Sequence, residues 1–241
     1  MKKAHLIMTF GLALFFFACG DHKHKDGHGH SHEHSKEIKD DAHEGHHSHN
    51  ANEHMHQKSV EELIENFESP ERDEYQKPEK VLAYLGDLNG KKVMDIGAGS
   101  GYFSVKLAAA GAQVIAADVD DEFQSALKKR IEDNQLENIE LRKLPYDSPM
   151  LEDGEVDMVL IVNTYHHIEN RSAYFAKVKA GINETGELVL IDFFKSESPV
   201  GPPVDHKISI DKVVYELKEA GFTNFDVNVD LLPYQYVIKA K

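Results

Sequence analysis

The 241-residue chain has a single cysteine, Cys19, so no intrachain disulfide and no multi-cysteine zinc or iron–sulfur centre can form. Basic groups are also scarce. Against 42 Asp and Glu there are 27 Lys and Arg, a formal charge of −15. Residues 1–18 carry +2, residues 19–57 carry −4, and residues 58–241 carry −13. A sequence-independent grip on DNA or RNA depends on Lys and Arg neutralising phosphates, so no nucleic-acid partner is expected. An anionic membrane surface is disfavoured as the main partner on the same ground. Even the N-terminal apolar run, Leu6–Ala18, falls short of the ~20 residues that span a bilayer. Between Gly20 and Gln57 large apolar side chains all but vanish, Ile38 and Met55 being the exceptions. Histidine is concentrated there instead: 12 of the 16 lie between His22 and His56.

Lys2 and Lys3 ahead of the apolar run make the charged and apolar regions of a secretory signal. Ala18-Cys19-Gly20 resembles a bacterial lipobox, with Phe16 where Leu is usual. The resemblance implies a lipoprotein-type signal peptide over 1–18, with Cys19 acylated as the first mature residue. The alternative is an uncleaved N-terminal anchor. Both place the chain outside the cytoplasm of a bacterium, in the periplasm or at the cell surface, and hold it at a membrane.

Residues 19–57 bury too little apolar surface to offset ordering entropy and are expected to form a disordered tether. Their histidines cluster as HKH at 22–24, HGHSHEH at 28–34, HEGHHSH at 43–49 and HMH at 54–56. Neutral imidazole suits Zn, Ni and Cu, and a flexible chain can gather several around one ion. The alternative is a polar spacer. No ligand set follows from a disordered run, so none is nominated.

From residue 58 to 241 the pattern becomes that of one α/β domain. Helical spacing runs over 59–69, behind Ser59 as N-cap, and Pro78 opens a helix through Leu85. Strands are expected at 92–97, 113–118, 139–144, 156–163, 187–193, 225–231 and 235–239, with helices at 101–110, 121–134, 169–181 and 209–220. Alternation of this kind implies βαβ units and a mostly parallel sheet covered on both faces. The last two strands share a short turn at Pro233, so they should pair antiparallel.

The chemistry is expected at the first strand–loop–helix turn, VMDIGAGSGYF. Gly97, Gly99 and Gly101 let the backbone approach a ligand at a helix start. Their GxGxG spacing differs from the GxGxxG of nicotinamide-binding folds. Asp95 lies inside the strand, and Asp118 ends the next one, where a carboxylate can accept both hydroxyls of a ribose.

These residues, with AADVD, VDMVLIVNTYHHI and GELVLIDFF further on, resemble a class I S-adenosylmethionine-dependent methyltransferase from about residue 71 to 241. The resemblance implies a Rossmann-like seven-stranded sheet, mostly parallel and flanked by helices, in order 3-2-1-4-5-7-6 with strand 7 antiparallel. It implies S-adenosylmethionine as cofactor. Asp95 would orient the methionine amino group, Gly97, Gly99 and Gly101 would lie under the cofactor, Asp118 would bind the ribose, and Asn163 would also belong to the cofactor-binding set. Relatives often carry an adenine-binding acid several places before a Leu-Pro pair. Here Arg142 and Lys143 precede Leu144-Pro145, and Asp147 beyond the pair is the nearest acid. A nicotinamide oxidoreductase or a non-catalytic nucleotide binder remains the alternative.

The acceptor pocket is expected above the carboxyl ends of strands 4 and 5, beside Asn163, Tyr165, His166, His167 and Phe193. A base is needed only if the nucleophile must lose a proton, and His166 and His167 are the candidates. His206, in the loop GPPVDHKIS, is a third, and that loop could close over the site. Tyr75 and Gln76 could close the other side. Tyr165, Phe193 and Phe194 favour a small, partly apolar methyl acceptor. Thiol capture of a metalloid is excluded by the single cysteine. The competing reading is an exported metal-binding lipoprotein whose methyltransferase-like domain has lost catalysis.

Overall fold

The structure is a computed structural model that describes residues 59–241. The leader expected over 1–18, the tether over 19–57, the lipidation of Cys19 and the tether's metal ligands all lie outside the described residues.

Three short helices open the described chain: α1 (Val60–Phe67), α2 (Pro70–Gln76) and α3 (Pro78–Leu85). Ser59 caps α1 by accepting from the Glu62 N–H, and Ser69 caps α2 by accepting from that of Arg72. Pro70 and Pro78 each open a helix, where a missing N–H costs nothing. Lys77, in the left-handed conformation (φ 44°), ends α2 and turns the chain into α3.

The α/β alternation follows: β1 (Lys92–Ile96), α4 (Tyr102–Ala109), β2 (Gln113–Asp118), α5 (Asp121–Asp133), β3 (Ile139–Lys143) and β4 (Val156–Val162). A 3-10 turn (Tyr165–His167), α6 (Arg171–Gly181), β5 (Ile182–Phe193), α7 (Ile210–Glu219), β6 (Phe225–Asn228) and β7 (Gln235–Ala240) complete it. The seven strands form one sheet in order β3-β2-β1-β4-β5-β7-β6. The first five are parallel and β7 runs antiparallel to both β5 and β6. The expected topology is therefore the observed one. Successive side chains of each central strand enter opposite layers. Ile96, Ile161 and Leu190 pack with α6 and α7 on one face, and Val93, Leu160 and Val189 pack with α3 and α4 on the other.

Three local expectations needed revision. β6 ends at Asn228 and not at 231. β5 begins at Ile182, not near 187. Val156 pairs with Ile182 and Met158 with Glu187, so a register shift absorbs the turn-like residues 183–186. Residues 70–76 form the helix α2, where the sequence reading assigned no element. A strongly charged run gives no apolar stripe; its cap and proline define it. Among the described residues no helix is long and apolar enough to cross a membrane.

Candidate active site

The glycine loop joins β1 to α4. Gly97, Gly99 and Gly101 have φ of 74°, 54° and 84°, a region that side chains with a Cβ rarely adopt. At Gly97 a Cβ would also collide with the Thr164 side chain, and at Gly101 with Leu127. The loop is tied to the end of β2: Gly97 N–H and Ala98 N–H both donate to the Ala117 carbonyl, at 2.8 and 3.1 Å.

Asp118, buried at the end of β2, supports the same loop. Its Oδ2 accepts the Gly99 N–H at 2.8 Å and its Oδ1 accepts the Asp120 N–H at 3.0 Å. A carboxylate offers about four lone-pair positions, so each oxygen keeps one for a further donor. Burial pushes its pKa above the ordinary carboxylate value, and the two N–H donors oppose that. Asp95 lies one strand away, 3% exposed, accepting the Ser104 hydroxyl at 2.7 Å. Burial raises it to about 6, against the lowering effects of the Ser104 hydroxyl and the Arg72 guanidinium.

α1 and α2 lie against this loop. Phe67 sits 3.6 Å from where a Gly99 Cβ would be, and Glu68 accepts the Ser100 hydroxyl at 2.5 Å. Arg72 of α2 stacks 4.0 Å above the Tyr102 ring and donates Nη1–H to the Phe67 carbonyl at 3.1 Å. Its Nε–H is buried and finds no acceptor among the described residues. Burial lowers its pKa. An orphaned guanidinium donor, two buried carboxylates and a loop with three left-handed glycines suit a zwitterionic amino acid joined to a nucleoside. These residues therefore fit S-adenosylmethionine.

The expected acceptor side is at the carboxyl ends of β4 and β5. His166 Nδ1 lies 2.9 Å from Asp192 Oδ2 and 3.1 Å from Oδ1, with the two side chains 4% and 0% exposed. His167 packs against His166 with ring centroids 4.3 Å apart and the planes tilted by 37°. Its pKa falls to about 3, because burial and then the neighbouring His166 disfavour a charge, with His206 adding to the effect. His206 is thus brought to the same cluster from the loop after β5. That loop also crosses Phe193, where the ring leaves no room for a Cβ at Gly201. Phe193 meets Tyr75 of α2 at 6.1 Å between centroids. Gln76, fully buried, accepts from Asn163 Nδ2 at 3.2 Å.

Other expected residues are placed elsewhere. Tyr165, expected beside the transferred methyl group, is wholly buried on the α6–α7 side of the sheet. Its hydroxyl donates to Glu216 of α7 at 2.6 Å, and its ring packs on Phe175. The 3-10 turn rotates it into the core while His166 keeps to Asp192. Phe194 packs on Tyr236, on the same side. Asp147 is exposed on the loop after β3, its carbonyl accepting from Lys177 Nζ at 2.8 Å. Among the described residues no three or more His, Cys, Asp or Glu are arranged to hold a metal ion.

Sequence reasoning missed Arg72, Asp192 and Gln235. Asp192 did leave a signal, since it is an acid inside the otherwise apolar strand LVLIDF, as Asp95 is inside VMDIG. Arg72 and Gln235 left none.

A family model described as a methyltransferase domain matches residues 94–190, from β1 into β5. A structure titled as an S-adenosylmethionine-dependent methyltransferase from Aquifex aeolicus superposes with a TM-score of 0.70 at 27% identity, covering 76% of this chain and 98% of that one. Residues 94–190 thus match a methyltransferase domain, on a fold shared with S-adenosylmethionine-dependent methyltransferases. A ubiquinone biosynthesis O-methyltransferase of Acinetobacter baylyi is 31% identical over 86 residues, 35% of this chain and 36% of that protein. The chain thus spans about a third of the length of the curated relatives it matches. Phosphoethanolamine N-methyltransferase 2 of Haemonchus contortus, solved with S-adenosylhomocysteine, shares the fold of the methyltransferase domain. Its TM-score is 0.56 at 15% identity, over 64% of this chain and 38% of that one.

Proposed function

We propose that the protein transfers a methyl group from S-adenosylmethionine to a small, partly apolar acceptor, with His166 as the general base. The observation that carries this reading is the His166–Asp192 contact at the carboxyl ends of β4 and β5.

When bound, S-adenosylmethionine supplies an electrophilic methyl group on a sulfonium. The residues that would hold it are Arg72 at the carboxylate, Asp95 at the amino group, Gly97, Gly99 and Gly101 beneath it, and Asp118 at the ribose. Displacement at a sulfonium neutralises charge, so holding the acceptor in line supplies most of the acceleration. Asp192 accepts a hydrogen bond from Nδ1–H of His166, which keeps that proton on Nδ1 and leaves the ring's lone pair at Nε2. Nε2 then receives the proton that the acceptor atom gives up as its bond to carbon forms. His167 shields the ring from water and stays neutral. The O-methyltransferase name of the Acinetobacter relatives supports an oxygen acceptor. The reading of a domain without catalysis is the weaker one, because the buried acid–histidine pair has no evident structural need.

The N-terminal sequence adds two further elements. The leader and Cys19 anchor the domain by lipid on the outer side of a bacterial membrane, and the tether's histidines bind Zn, Ni or Cu. Both are supported by residue pattern alone.

Calorimetric titration of the folded full-length protein with S-adenosylmethionine tests the central reading. Saturable binding that is unaffected by His166→Ala, with turnover lost in that variant, is the expected result. A folded protein that does not bind S-adenosylmethionine overturns it.

A further inference from the structure

Gln76 of α2, Asn163 after β4 and Gln235 at the start of β7 form a ring of three amides. Asn163 Nδ2 and Gln235 Nε2 both donate to Gln76 Oε1, at 3.2 and 3.3 Å, and Gln235 Nε2 also donates to Asn163 Oδ1 at 2.6 Å. Gln76 and Gln235 are both 0% exposed. Their remaining atoms, Gln76 Nε2 and Gln235 Oε1, are buried and have no partner among the described residues.

That leftover pair does not depend on which way the amides face. The three contacts are complementary in only two arrangements, this one and the one with all three amides turned over together. The second leaves an acceptor on Gln76 and a donor on Gln235. In either case one donor and one acceptor are buried and unmet, and a native fold rarely leaves such groups without a purpose.

The ring lies where an acceptor is expected. Asn163 N–H donates to the Ile191 carbonyl at 2.9 Å, at the carboxyl end of β5. Gln235 is the ladder partner of Phe193, and Tyr75, next to Gln76, meets the Phe193 ring. We infer that Gln76 and Gln235 form the polar end of the acceptor subsite. They select a neutral, hydroxyl-bearing compound whose apolar body lies along Tyr75 and Phe193. A hydroxyl both donates and accepts and so offers what each leftover group lacks; with its one proton held by an amide, it is a second hydroxyl and not the atom whose proton passes to His166. A carboxylate only accepts and an ammonium only donates, so either ion leaves one amide facing a like partner. The inference rests on the methyl-transfer reading for the identity of its ligand as acceptor, but its binding chemistry is measured apart from that reading.

The test uses the full-length protein and three ring probes, phenol, anisole and benzoate, titrated with and without saturating S-adenosylhomocysteine. Phenol is expected to bind at least tenfold more tightly than anisole, which lacks the donor, and than benzoate, which carries charge. Gln76→Met should erase the preference for phenol while leaving S-adenosylhomocysteine affinity unchanged. Should Gln76→Met fail to fold, Gln235→Met removes the other half of the pair and must erase the same preference. Equal binding of phenol and anisole to the wild type overturns the inference, and so does a preference that survives in the folded variants. A protein that prefers phenol but ignores S-adenosylhomocysteine keeps this inference and loses the methyl-transfer reading; the reverse result does the opposite.

Discussion

The imidazole of His166 and the carboxylate of Asp192 face each other at 2.9 Å across the ends of β4 and β5, both almost completely removed from solvent. The pair is a long-range product of strand register. Asn163 N–H reaches the Ile191 carbonyl, which sets the turn after β4 beside the end of β5.

Asp192→Asn keeps the shape of that contact and removes its sense. An amide N–H turned toward Nδ1 would favour the tautomer with its lone pair there, leaving Nε2 protonated. Turnover should fall by about 10²–10⁴, the usual worth of a positioned base. Binding of S-adenosylmethionine should be unchanged. Steady-state rates beside calorimetry check this, and undiminished turnover would remove Asp192 from the mechanism.

His167 titrates near 3 in the folded protein, against ~6.5 in an unfolded chain. A depressed pKa means that the folded state lacks a proton that the unfolded state binds. His167 therefore costs stability progressively as pH falls from ~6.5 toward 3. His167→Gln should flatten the loss of melting temperature between pH 7 and pH 5. Parallel melting curves for variant and wild type would contradict this account.

Asp95 works in the opposite sense. Its folded pKa of about 6 lies above the ~3.9 of an unfolded chain, so its favourable contribution is complete below ~3.9 and is lost as pH rises through about 6. Asp95→Asn should then melt at a higher temperature than wild type at pH 8 and show no such gain at pH 4. The same variant should bind S-adenosylmethionine at least tenfold more weakly, because a charged hydrogen bond to the amino group is worth ~1.5–3 kcal/mol. A variant that is no more stable at pH 8 would show that Asp95 carries no burial cost.

Asp118 joins the glycine loop to β2 and faces the proposed ribose site. Asp118→Ala removes the acceptors of the Gly99 and Asp120 N–H groups as well as those of the ribose hydroxyls. Affinity for S-adenosylmethionine should drop by at least tenfold in protein that still melts cooperatively. Unchanged affinity in a folded variant would remove the main support for the cofactor site.

The metal should follow the tether and not the domain. Among the described residues no cluster of ligands exists, whereas residues 22–56 hold 12 histidines. The full chain should bind Zn²⁺, Ni²⁺ or Cu²⁺ near neutral pH and release it as imidazoles protonate, and a chain beginning at Lys58 should not. Equal metal content in the two chains would rule out the tether as the site.

The succession of strands and helices, the glycine loop and the positions of Asp95 and Asp118 were legible in the sequence because each is a local property, whereas the sheet order came from the resemblance to methyltransferases. Strand and helix periods are written in consecutive residues. The GxGxG spacing and the positions of Asp95 and Asp118 follow directly from where those strands end. Tertiary structure alone decided the acceptor side. Gln76 meets Asn163 across 87 positions and Gln235 across 159, and His166 meets Asp192 across 26. Tyr165, adjacent to His166 in sequence, was turned toward Glu216, 51 residues away. Contacts at such separations depend on which strands are neighbours and in what register. That is settled by burial of the whole sheet, which no window of neighbouring residues encodes.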